Sequence, residues 1–204
     1  MTRLMRFTGI CSGLGGLAWT MGCFVHNSLP QGCIGDACEG LQAVPMRGDS
    51  SAALALFLVA GVMLATSAIG TFLLARRIGG LGPIGAAALL SGGLGWALLL
   101  VSGMVSGFVD NDWNGMPALV VPGAVLLAVG AALLGWLVLR VNLLPRRVGL
   151  LLVGAALLLP FANEQTYRIL LAVPFGVAWV VVGVVLLARA ESIARSQRVT
   201  VVVA

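Results

Sequence analysis

Lysine is absent from this chain, histidine and tyrosine occur once each, and charged residues fill only 9% of its 204 positions. A soluble domain of this length needs far more charge to keep its surface wet. Its 60% hydrophobic residues and mean hydropathy of +1.07 instead indicate an integral membrane protein. The hydrophobic residues fall in six blocks separated by short polar stretches, at about 7–25, 51–75, 84–109, 116–139, 148–162 and 168–188. Between the interfaces these blocks hold no Asp, Glu, Lys, Arg or His. Ion-coupled transport and proton relays need ionisable groups at depth, and intramembrane proteolysis needs a Ser–His pair, two aspartates or a metal site. Those classes are disfavoured. No Gly-rich phosphate loop lies outside the blocks, and no basic stripe with interleaved aromatics suggests nucleic acid.

Backbone polar groups cannot stay open in hydrocarbon, so each block is expected to be helical: an all-α, six-helix transmembrane bundle over residues 1–204, one domain. Segment 148–162 is the short one, since fifteen residues rise only about 22 Å against a core of roughly 30 Å. Its flanking Arg146 and Arg147 can snorkel to lengthen it.

The charges that are present settle orientation. With the amino terminus inside, the inner positions hold Arg3, Arg6, Arg76, Arg77, Arg140, Arg146, Arg147, Arg189, Arg195 and Arg198 against one acid, Glu191. The outer positions hold Asp36, Glu39, Asp49, Asp110, Asp112 and Glu164 against Arg47 and Arg168. Every inner turn obeys the positive-inside rule, which puts both termini in the cytoplasm. All-arginine usage reflects a GC-rich coding sequence. In general layout the chain resembles small six-helix membrane proteins of GC-rich bacteria, so the bacterial inner (plasma) membrane is the expected location.

Arg3, Arg6, an apolar run and then Cys23 have the layout of a lipoprotein signal. Thr20 stands where that signal wants a larger aliphatic residue, and the expectation is an ordinary first helix. The helices running inward each begin near a Gly (Gly61, Gly123, Gly176) and end in Arg, a faint repeat that Gly/Ala/Leu/Val-rich helices also give by chance.

Cysteine is scarce, and its placement is informative. Cys23, Cys33 and Cys38 fall on the outer, oxidising side, which makes a structural disulfide the expectation, Cys33–Cys38 first and the Cys23 pairings next. No CxxC is present, and with His26 the spacing matches no zinc pattern, so no metal or cofactor is expected.

Asp110-Asn111-Asp112-Trp113-Asn114-Gly115 reads like the first half of a calcium loop. Pro117 and Val121 then break the pattern, and the same residues suit any tight turn. Asp110, Asp112, Asn114, Glu164 and Arg168 are the candidates for an external ligand or cation, should the fold bring them together.

Gly is abundant. Gly9/Gly13, Ser102/Ser106 and Gly103/Gly107 recur at four-residue spacing, which lets helix backbones approach closely. With Gly92, Gly93 and Gly95, the third helix is the expected close-packed centre. Clean apolar helices with many small residues favour a non-enzymatic subunit or scaffold acting through helix–helix contacts, with membrane lipid and a membrane-protein partner or a second copy as its partners. The alternatives are a channel or facilitator for a small solute, with Ser91, Ser102, Ser106, Thr66 and Ser67 as its polar stripe, and an enzyme acting on lipid at the outer surface.

Overall fold

A computed structural model describes residues 1–32, 47–48, 50–79, 82–108 and 115–203, without the side chains of 107–108 and 196–203. The described residues form six α-helices and no strand: α1 Thr2–Asn27, α2 Ser51–Gly79, α3 Pro83–Phe108, α4 Met116–Arg140, α5 Arg146–Leu158 and α6 Val173–Val203. Five carry stretches long and apolar enough to cross a membrane; α5, at 13 residues, is too short to count among them.

Helix ends follow local chemistry. Pro83 opens α3 and Pro117 lies in the first turn of α4, where a missing N–H costs nothing. α4 stops at Asn142, whose φ of 53° is left-handed, and Leu143 N–H then donates back to Val138 O at 3.2 Å. Pro160 cannot continue α5, so the chain tightens into a 3-10 turn, Leu159–Phe161. A second 3-10 segment, Tyr167–Ala172, starts on Thr166, whose side chain accepts from Arg168 N–H, and leads into α6. Nothing after residue 188 breaks a helix, and α6 runs on to Val203.

The packing divides into two halves. α1 packs most extensively on α6 and α2, and α4 on α3 and then α5. Smaller α5–α6 and α2–α3 contacts close the ring. Neighbours run antiparallel and meet through glycine. In α1–α6, a Cβ at Gly9 would come within 3.0 Å of Gly183 O, and one at Gly16 would fall on Gly176 O. In α3–α4, a Cβ at Gly95 or Gly130 would fall on the facing backbone, Leu127 N or Gly92 N. Close backbone approach through small residues is the contact these pairs share.

α5 spans the bundle although it is short. It begins just after the turn whose Leu143 carbonyl accepts from the Arg189 guanidinium, about midway along α6. Past its other end, Gln165 O accepts from Gly32 N–H at 3.0 Å, beyond the end of α1. Thirteen α-helical residues and three 3-10 residues cover about 25 Å, at ~1.5 and ~2.0 Å per residue. Six antiparallel passes therefore bring Thr2 and the end of α6 to the same end of the bundle.

The centre is not where the glycine pattern puts it. In α1, 56% of the membrane-length stretch is buried by the rest of the chain, but in α3 only 17%. Gly92 and Gly95 do lie against α4, but among the described residues α3 has no such neighbour on its opposite face. Leu90, Leu94, Val101 and Met104 are exposed there.

Candidate functional site

Of the external ligand candidates, Glu164 and Arg168 are exposed, on the loop between α5 and α6. Asp110, Asp112 and Asn114 lie outside the described residues. What the Glu164 loop gathers is a different set. Arg47, one of two arginines against the charge pattern, is only 2% exposed. Its Nε–H donates to Pro30 O at 3.2 Å, and its Nη1 to Glu164 O at 3.0 Å and Thr166 O at 3.3 Å. Its backbone N–H donates to Gln165 Oε1 at 2.6 Å, and His26 Nε2 sits 3.2 Å from Glu164 O. Burial lowers the guanidinium pKa, yet the group stays charged at any physiological pH. Arg47 thus ties the loop after α1 to the loop before α6. Its Nη2 is buried with no hydrogen-bond partner among the described residues. The sequence signal for this clamp was slight: an arginine on the acid-rich side.

Four of the five hydroxyls named as a polar stripe are turned to backbone. Ser91 donates to Leu126 O, pinning α3 to α4, and Ser67 to Thr8 O, pinning α2 to α1. Thr66 and Ser102 bond within their own helices, to Val62 O and Leu99 O. Ser106 is half-buried near the end of α3.

Sequence reasoning missed the centre of the bundle. A cavity of about 260 Å³ lies among α2, α3, α4 and α6. Leu64, Leu134, Phe175 and Trp179, all nearly inaccessible, line its inner end. Its only exposed lining residues are Ile69 of α2 and Gly93 of α3, so it opens through the thin α2–α3 seam.

Behind it stands an aromatic cluster joining four helices. Trp19 makes edge contacts with Phe57, Trp96 and Phe175 at 5.4–5.7 Å between ring centres, and Phe175 with Trp179 at 6.2 Å. The two buried indoles are treated differently. Trp19 Nε1–H donates to Ala172 O at 2.8 Å, whereas Trp179 Nε1–H has no partner among the described residues. Leaving such a donor unmade costs roughly 1–3 kcal/mol. Trp136, by contrast, is exposed on the outside of α4.

Cys23 is a fully buried free thiol within α1, packed in the hydrophobic core, so neither pairing that uses it is formed. Its position on the inward face of the helix holds it in the core. Cys33 and Cys38 lie outside the described residues. Among the packing candidates on α3, Gly92 and Gly95 face α4 and Ser102 is buried. A Cβ at Gly103 would meet only Leu54, at 3.9 Å, and Gly107 lies in the last turn. No family model matches the chain, and no curated protein or solved structure matches it either.

Proposed function

We propose that the chain is a subunit of the bacterial plasma membrane that crosses it six times with both termini in the cytoplasm, and that it works by holding a transmembrane helix of another membrane protein along α3. The orientation rests on charge. Exposed Arg3, Arg6, Arg76, Arg77, Arg140, Arg146, Arg147 and Arg195 belong to the helix ends that share the terminal end of the bundle. Arg146 and Arg147 at the start of α5 extend its reach by snorkelling, and the aromatic ring of exposed Tyr167 suits the opposite interface.

The partner surface rests on one observation: on α3, Gly93 and Ala97 are exposed at four-residue spacing, and a Cβ at Gly93 would meet nothing within 4 Å. Lipid is as apolar as Leu, so an exposed apolar face alone draws no partner, but a small-xxx-small face lets a second helix approach closely. A solute path has less support, because Thr66, Ser67, Ser91 and Ser102 donate to backbone carbonyls.

Co-purification of the tagged protein in mild detergent tests the partner. A stoichiometric membrane protein is expected with the wild type and is lost with Gly93→Leu, whose side chain has room in this chain but blocks a partner. Recovery of the protein alone, or with the partner unaffected by Gly93→Leu, rejects the α3 surface. Orientation is read separately. With Cys33 and Cys38 replaced by serine, an impermeant maleimide added outside intact cells is expected to label Tyr167→Cys and to spare Arg195→Cys; the reverse pattern inverts the topology.

A further inference from the structure

The outer face of α5 is apolar and uncovered among the described residues. Leu150, Leu151, Leu157 and Phe161 are exposed there, and a Cβ at Gly154 would meet nothing within 4 Å. Charge closes this face at both ends, with exposed Arg146 and Arg147 at its start and exposed Glu164 and Arg168 past its finish. Between them residues 148–158 of α5 and the 3-10 turn Leu159–Phe161 rise about 22 Å, at ~1.5 and ~2.0 Å per residue. Other helices are longer. α4 is uncharged over 116–139, about 36 Å, and α2 over 51–75, about 37 Å. A hydrocarbon core roughly 30 Å thick thus overhangs the α5 face by about 8 Å, whereas α2 and α4 are long enough to cross it tilted.

On the membrane-embedded reading above, and independently of the α3 surface, we infer that the α5 face is a lipid-selective notch, which takes phospholipids with short acyl chains as its boundary lipids. A short span in a thick bilayer is met by snorkelling, by oligomerising or by a thinner lipid layer. Arg146 and Arg147 snorkel at one end, but the other closes on Glu164, whose side chain is short. A second copy shares the topology, so a two-fold contact through α5 would set two Arg146–Arg147 pairs side by side, like charge against like. Lipid meets both demands. Short chains match the span, and their phosphates take the guanidinium groups of Arg146 and Arg147.

The test uses the unmodified protein in vesicles of equimolar dimyristoleoyl- and dierucoyl-phosphatidylcholine, with a photoreactive diazirine in the chains of one lipid or the other. Crosslinks are mapped by mass spectrometry. The ratio of short-chain to long-chain labelling is expected to be about threefold higher on α5, at Leu150 to Phe161, than at exposed Val59 and Val62 of α2. Replacing both arginines, Arg146→Leu with Arg147→Leu, lengthens the uncharged span by about 3 Å and should bring the α5 ratio toward that of α2. Arg146→Lys with Arg147→Lys keeps charge and reach, and should preserve the wild-type ratio. Equal ratios on the two faces of the wild type overturn the inference, as does an α5 that takes no label while α2 does, which would mean that protein covers it. Protein that fails to float with the vesicles refutes the membrane reading instead, so the two failures are distinguishable.

Discussion

Gly16→Ala should leave little monodisperse protein on size exclusion in detergent, while Gly13→Ala, one turn earlier on the same helix, should elute as wild type. The added methyl group is identical. At Gly16 it would fall on Gly176 O of α6, with Val180 N at 2.8 Å; at Gly13 it meets nothing within 4 Å. Overpacking commonly costs about 1–3 kcal/mol when side chains can shift. Backbone cannot shift without parting α1 from α6, so the upper end of that range or beyond is expected. Removing glycine from a helix interior returns up to about 1 kcal/mol, which is why Gly13→Ala should be neutral or mildly stabilising. Equal behaviour of the two variants would mean that the α1–α6 contact does not hold the bundle.

Arg47→Met is expected to lower the thermal unfolding temperature and to open the loop after α1 to protease. Three carbonyls, of Pro30, Glu164 and Thr166, lose their donor at once. Charge-assisted bonds are worth ~1.5–3 kcal/mol each, and bonds sharing one donor group are not additive, so a net loss on the order of 3 kcal/mol follows. Arg47→Lys should recover only part of it, since an ammonium cannot present the planar fork that reaches both loops. Burial opposes this term, because a guanidinium is costly to desolvate. A more stable Arg47→Met would show that desolvation outweighs the three bonds. No pH dependence should arise from this group between about pH 5 and 9. Its folded pKa is depressed, so its unfavourable share would lift only as pH rises through that value, far above the range.

The sequence made the helices legible because solvent leaves two plain marks, apolar blocks and arginines at alternate gaps. It left the interior dark for a related reason. In a chain whose helices are apolar all round, an outward-facing Leu and a buried Leu look alike, so hydropathy does not say which face packs. Glycine spacing is no better guide: Gly9 and Gly13 form a four-residue pair, yet only Gly9 meets α6 through its Cβ direction. α3 was read as central for the same reason, when its Gly92 and Gly95 serve one neighbour only. The site fared worse still. Arg47 depends on carbonyls of residues 164 and 166, over a hundred positions away, and Trp179 is singled out by a missing partner, which no local pattern records.

α1 has its main partner in α6, the helix farthest from it along these residues. Ser12 Oγ donates to Trp179 O across 167 residues of chain. At ~5–20 residues per second, a ribosome needs roughly 8–30 s to travel that distance. On the membrane reading proposed above, α1 waits in the bilayer throughout that interval with the glycine face that meets α6 turned toward lipid, open to other helices of its kind. An insertase or chaperone that shields a small-residue face is therefore the factor whose depletion should injure this protein most.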